Sequence, residues 1–268
     1  MAEDTVSERV IVKRRDFVAT LTINNPAKRN ALYPELLFDF VRILRELETQ
    51  EIRVLVIRGA GDKSFCSGFD IASIPTRIPA SEFNGKSPRD PVQEAIHALE
   101  TLAVPTIAMI NGHAYGAGCE MITACDLRVS VLGATFGMTP ARLGIVYSPR
   151  GLRRFLDLIG VAHTKELFFT AGSIDAARAL EIGLVNHVVV REELEAFVGR
   201  LANDIASNAP LAVQGTKRVI AACMEERRLS PEAEKDAARL IAESFASEDL
   251  VEGRTAFLEG RKPRFKGR

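Results

Sequence analysis

Tryptophan is absent from the 268-residue chain, and tyrosine occurs only three times. An aromatic platform for stacking single-stranded nucleic acid is therefore not expected. An excess of one charge is missing too, because 35 Lys and Arg balance 35 Asp and Glu. No net field draws the chain to nucleic acid or to an anionic membrane, although local basic groups could hold one phosphorylated small molecule. No apolar run approaches the roughly 20 residues of a membrane span. The opening MAEDTVSERV is acidic and polar without an apolar core, and reads as neither a secretory nor a transit segment. Cysteine is sparse: Cys66, Cys119, Cys125 and Cys223 form no CxxC pair and no metal-like spacing. Free structural thiols in a reducing cytoplasm are expected. The four histidines are scattered, with no HExxH or similar cluster, so no metal is expected.

What is present is an alternation of strands and helices. RVIVKRRDFVATLTIN (9–24) holds two β-rich runs broken at Arg15-Asp16, which predicts a hairpin. From Pro34, apolar residues at Leu36, Leu37, Phe40, Val41, Leu44 and Leu47 predict an amphipathic helix with the proline in its first turn. RVLVIRG (53–59) reads as a buried strand. Gly61, Gly68, Pro75, Pro79, Gly85 and Pro88 then predict a functional turn near 64–70 and a long loop over 72–90. A helix around 90–102, the strand VPTIAMING, a glycine-rich turn, a helix from about 117 to 125 and the strand DLRVSV follow. Such alternation argues for an α/β core. After about residue 150 only GLVNHVVV (183–190) reads as a good strand, and four successive helices end the chain. We divide it into a core over 1–200 and a helical region over 201–268, with no linker that marks an independent domain.

Two turns stand out chemically. In AYGAGCE (114–120), Gly116, Ala117 and Gly118 place nearly bare backbone at a helix start. Glycine lets a ligand approach main-chain N–H groups, and the first N–H groups of a helix have no internal partner and favour an anion. SFCSGFD (64–70) repeats the logic after the strand at 53–59. One N–H from each turn could converge on one developing oxyanion, where a single donor is worth about 3 kcal/mol. Either turn taken alone is more simply read as glycine packing at a helix start. A phosphate loop is a weaker rival, because the GK[ST] ending is missing.

Taken in order, NNPAKRNAL (24–32), SFCSGFDI (64–71), INGHAYGAGCEMITACDLRVS (110–130), TFGMTPARLGI (135–145), TAGSIDAARALEIGLVNHVV (170–189) and AFLEGRKPRFKG (256–267) resemble the enoyl-CoA hydratase/isomerase (crotonase) superfamily. The resemblance implies a spiral of repeated ββα units, with a C-terminal helical region that builds homotrimers or hexamers. It implies an acyl-CoA thioester as substrate, with no further cofactor. The oxyanion donors would be the backbone N–H groups of Phe69 and Ala117. Lys28 and Arg29 would meet the CoA phosphates, and Ser67 the adenine. Gly68, Asp70, Ile71 and Gly116 would shape the same site, and Phe257 would pack on the nucleotide of a neighbouring subunit. Gly260 stands where a lysine often follows, with Lys262 nearby as a substitute.

Hydration in this family commonly uses two glutamates around one water. Glu120 matches the first, one turn into its helix; the second position holds Pro140, flanked by Thr139, Ala141 and Arg142. Proline has no proton to give, so the two-acid hydratase is not expected. FGMTPARLGIVYS and the C-terminal half are more similar to the branch of the superfamily that decarboxylates methylmalonyl-type CoA thioesters. On that likeness Tyr147 lies near the substrate, and Phe69 replaces a histidine. Malonyl-type decarboxylation is the specific expectation, with Glu120 and Tyr147 handling carboxylate and proton. A hydratase or isomerase centred on Glu120 and a non-catalytic CoA-binding scaffold are the alternatives. Asp70 is expected to cap its turn, Arg142 to make a structural ion pair, and His113 to hydrogen-bond to backbone.

Overall fold

A computed structural model describes residues 6–75, 90–225 and 231–267. Most of the loop expected over 72–90 lies outside the described residues.

The hairpin forms as expected. After the short β1 (Val6–Ser7), β2 (Val10–Arg15) pairs antiparallel with β3 (Val18–Ile23). Asp16 takes a φ of 53° at the bend, a conformation that aspartate tolerates better than most residues. Helix α1 (Pro34–Glu48) buries Leu36, Leu37, Phe40, Ile43, Leu44 and Leu47, while Val41 is only partly covered. It crosses to β4 (Val54–Gly59), which pairs parallel with β3. Parallel neighbours need such crossovers, and helices provide them.

Two further units repeat the pattern. β5 (Ser64–Cys66) precedes α2 (Pro91–Glu100), and β6 (Thr106–Ile110) and β7 (His113–Tyr115) precede α3 (Ala117–Ala124). β8 (Leu127–Val131) and β9 (Thr135–Gly137) lead through a single 3-10 turn, Pro140–Leu143, into α4 (Pro149–Thr170). Then come β10 (Ser173–Asp175), α5 (Ala176–Glu181) and β11 (His187–Val189). The long strands form one sheet in the order β1-β2-β3-β4-β6-β8-β11. The short strands form a second, in the order β10-β9-β7-β5. Each short strand from β5 to β9 follows directly on a long parallel strand, so the second sheet gathers the turns from one end of the first.

α6 (Arg191–Ser207) lies back on the large sheet through Leu194, Val198, Ala202 and Ala206. α7 (Pro210–Glu225), α8 (Pro231–Ala246) and α9 (Glu248–Leu258) complete the four expected helices. α9 returns to the core so closely that a β-carbon on Gly253 would sit 2.8 Å from the Leu143 backbone. The architecture is the expected mixed α/β array of strand–strand–helix units with a helical C-terminal region. Two expectations need correction. After residue 150 there are two strands, β10 as well as β11, because β10 is only three residues long and completes the small sheet by pairing with β9. Arg142 makes no ion pair among the described residues; Leu143 takes the inward face of its turn and Arg142 points to solvent. Among the described residues no helix is long and apolar enough to cross a membrane.

Candidate active site

The site forms where the turn after β5 meets the turn after β7. Gly68 has a φ of 100° and Gly116 a φ of 51°, both favourable only for glycine. A β-carbon on Gly68 would lie 2.8 Å from the Tyr115 carbonyl oxygen and 3.5 Å from the Ala117 nitrogen. One on Gly116 would lie 3.9 Å from the Gly68 α-carbon. The two turns touch, and bare backbone is what allows it.

Two amides are left over at this contact. Leu32 bonds on either side of Phe69: its N–H donates to the Gly68 carbonyl at 2.8 Å, and its carbonyl accepts from the Asp70 N–H at 2.7 Å. In a parallel bridge of this kind the central residue directs its own N–H the other way. Ala117 is the first residue of α3, where an N–H has no acceptor in its own helix. Neither amide has a hydrogen-bond partner among the described residues. Gly118 brings α3 close to β5, since a β-carbon there would lie 2.5 Å from the Cys66 carbonyl oxygen.

Glu120 is three residues beyond Ala117 on the same face of α3. Its side chain is fully buried, and three groups hold it. The Tyr147 hydroxyl donates to Oε2. The Gln93 amide donates to Oε1 at 2.9 Å and to Oε2 at 3.1 Å. Arg154 Nη1 donates to Oε1 at 3.0 Å. Burial pushes the Glu120 pKa up, and the hydrogen bonds from Tyr147 and Gln93 and the Arg154 charge oppose that rise. Tyr147 is half-buried as a residue, yet burial of its phenol group and the adjacent Glu120 push its pKa well above the ordinary value. It is a neutral phenol throughout the physiological range.

One stretch of chain builds most of this cradle. Ser148 caps α4 by accepting from the Gly151 N–H at 3.1 Å, and Pro149 opens the helix. Gly151 and Arg154, three apart on α4, then face Glu120, and Tyr147, just before the cap, lies against Gly151. Beyond the N–H that Ser148 caps, Gly151 supplies space, since its β-carbon would lie 2.7 Å from Glu120 Oε1 and 2.5 Å from Tyr147 Cε1. Gln93, Glu100, Gly151 and Arg154 escaped the sequence reading. They reach the site through the packing of α2 and α4 on α3, which leaves no local signal.

The residues expected around CoA lie beside the first turn. Lys28 ends a short 3-10 turn and Arg29 follows it with a φ of 53°. The Ser67 N–H donates to the Arg29 carbonyl at 3.0 Å, and the Ser67 hydroxyl to the Lys28 carbonyl at 3.2 Å. Lys28 Nζ pairs with Asp70 Oδ2 at 2.8 Å, while Asp70 Oδ1 caps Ala72 N–H as expected. The pairing raises the Lys28 pKa and lowers that of Asp70. Ile71 opens the next 3-10 turn, and Arg254 of α9 reaches its carbonyl at 3.4 Å. Phe257 lies on α9 with its ring exposed. His113 Nδ1 accepts from the Thr135 backbone N–H at 3.2 Å, which is the backbone bond expected of it. Cys66, Cys119 and Cys125 are free and buried, with thiol pKa values pushed up to about 12 by burial.

Known proteins are similar to this chain over most of its length. The family model described as enoyl-CoA hydratase/isomerase matches residues 13–268. A short-chain-enoyl-CoA hydratase of Clostridium acetobutylicum is 37% identical, over 94% of this chain and 95% of the relative. A methylmalonyl-CoA decarboxylase of Escherichia coli is 35% identical, over 93% of this chain and 95% of the relative. A crystal structure of methylmalonyl CoA decarboxylase complexed with 2S-carboxypropyl CoA superposes with a TM-score of 0.91 at 34% identity, covering 98% of this chain and all of that one. The chain is a member of the enoyl-CoA hydratase/isomerase family.

Proposed function

We propose that this protein is an acyl-CoA enzyme that decarboxylates a malonyl-type thioester such as methylmalonyl-CoA. The observation that carries the reading is the engagement of Glu120. Tyr147, Gln93 and Arg154 occupy both its oxygens, and on the family resemblance Pro140 stands where two-acid hydration would need a second carboxylate. An acid held in this way is poorly disposed to activate water. Decarboxylation asks for no base.

In the proposed step the bond between the substrate α-carbon and its carboxylate breaks and carbon dioxide leaves. The electron pair moves into the thioester, and the charge comes to rest on its oxygen. The Phe69 and Ala117 N–H groups donate to that oxyanion. The α-carbon of the enolate then takes a proton from the Tyr147 hydroxyl, which recovers one from solvent while Glu120 orients it. The products from methylmalonyl-CoA are propionyl-CoA and carbon dioxide. Lys28 and Arg29 would bind the CoA phosphates, drawing Lys28 from Asp70. Ser67, Gly68, Ile71 and Gly116 would line the thioester and adenine path. No cofactor beyond the substrate enters the scheme. We further propose a cytoplasmic homotrimer or dimer of trimers, in which apolar surface such as Leu211, at 85% exposure, is covered and Phe257 meets a neighbour's nucleotide.

The second reading is a hydratase or isomerase that uses Glu120 alone, and the identity to the clostridial hydratase favours it. A non-catalytic scaffold would bind acyl-CoA without turning it over. Incubation with methylmalonyl-CoA in deuterium oxide, followed by mass spectrometry, tests the proposal. The expected product is propionyl-CoA carrying one deuterium on its α-carbon. Intact methylmalonyl-CoA after prolonged incubation would contradict it.

A further inference from the structure

The guanidinium of Arg154 lies between two carboxylates of unequal exposure. Its side chain is 6% exposed; that of Glu120 is fully buried and that of Glu100 is 44% exposed. Nε and Nη2 donate to Glu100 at 3.2 and 2.7 Å, filling one edge of the fork. Nη1 reaches Glu120 Oε1 at 3.0 Å and Gln93 Oε1 at 3.5 Å. Gln93 and Glu100 sit two turns apart on α2, so one planar group ties α2 and α4 to the carboxylate on α3.

We propose that Arg154 is a positioning residue that holds Glu120 as an oriented anion, and that Glu100 tempers this hold by sharing the same guanidinium. A buried carboxylate without a partner takes up a proton rather than remain charged. The groups that face Glu120 divide clearly. Arg154 on α4, the Tyr147 hydroxyl, the Gln93 amide on α2 and the nearby N-terminal turn of α4 at Gly151 favour the anion. Burial and Asp90 at the start of α2 favour the neutral acid, and Glu100 competes for the same guanidinium. Arg154 is the only cation bonded to Glu120 among the described residues. Its fork allows both carboxylates to be bound at once, which the single ammonium point of lysine reproduces less well.

This inference uses the functional reading only in taking Glu120 as part of the reacting site. Its test needs no substrate. Protein labelled with carbon-13 at the glutamate carboxyls is titrated by NMR, and Glu120→Gln identifies the Glu120 signal. Arg154→Met is expected to raise the Glu120 midpoint by about one pH unit or more, a tenfold gain in proton affinity. Arg154→Lys should restore much of the wild-type midpoint, and Glu100→Gln should move it below wild type. A midpoint unchanged in folded Arg154→Met would overturn the proposal. If that variant does not fold, Glu100→Gln decides, and an unmoved midpoint there overturns it. A protein that fails to decarboxylate methylmalonyl-CoA would leave this titration unaffected.

Discussion

Gly151 stands against Glu120 with no room for a side chain: a β-carbon at 151 would lie 2.7 Å from Oε1 of the carboxylate. The same methyl group would lie 2.5 Å from Cε1 of Tyr147, whose hydroxyl bonds to Glu120. Gly151→Ala should therefore displace the ring and break that bond. Overpacking costs about 1–3 kcal/mol, and the better helix propensity of alanine returns up to about 1 kcal/mol. Thermal melting should show a modest loss of stability, while turnover falls at least tenfold. Full activity would show that Tyr147 need not stay where it is.

Tyr147→Phe removes the hydroxyl and little else. The proposed proton donor is lost, and decarboxylation should fall about 10²-fold. Binding of propionyl-CoA, followed by calorimetry, should stay close to wild type. A strong loss of binding with unchanged turnover of bound substrate would point to a packing role for the ring instead.

Gly68→Ala attacks the other turn. The φ of 100° is unfavourable for alanine, and the methyl group would meet the Tyr115 carbonyl at 2.8 Å. The expected cost is about 1–3 kcal/mol of stability. Misalignment of the Phe69 N–H should also lower turnover by about 10²–10³-fold. Paired melting curves and steady-state rates measure both effects, and a stability loss with normal turnover would argue against Phe69 as a donor.

The C-terminal tail should respond to acid. Arg261 and the Arg264 N–H bind Glu252 and depress its pKa to about 2, from an ordinary 4.5. A carboxyl whose pKa is lower in the folded state contributes its stabilisation above the unfolded value. That contribution is lost as pH falls from 4.5 through about 2. Hydrogen exchange of residues 261–267 should therefore rise over that window. Glu252→Gln should show fast tail exchange already at neutral pH; protection unchanged by the substitution would assign the docking to Asp249, which accepts from Lys266 N and Gly267 N.

Much of this arrangement is legible in the sequence, for physical reasons that differ by element. The hairpin at Asp16 and helix α1 are long enough for their apolar period to show. β5, β7, β9 and β10 have three residues each and no readable period, so the small sheet that brings the turns together goes unseen. Gly151 and Gly160 punctuate α4 and disguise it; Gly160 is in fact non-helical, with a φ of 73°. Gly68, Gly116, Ala117 and Glu120 are legible because each lies within a few residues of a glycine-rich turn. Gln93 and Arg154 are not, because they meet Glu120 only through the packing of α2 and α4 on α3, and Glu100 joins them only through Arg154. The ion pair expected of Arg142 does not form among the described residues, where the exposed 3-10 turn leaves its side chain in solvent.

One engaged carboxylate and two free amides are predicted to make a decarboxylase rather than a hydratase. The most direct measurement is a side-by-side incubation of the purified protein with methylmalonyl-CoA and with crotonyl-CoA, read by mass spectrometry. Loss of carbon dioxide from the first, with the second untouched, is the predicted result. Addition of water to crotonyl-CoA, with methylmalonyl-CoA intact, would contradict it and return Glu120 to the role of a water-activating base.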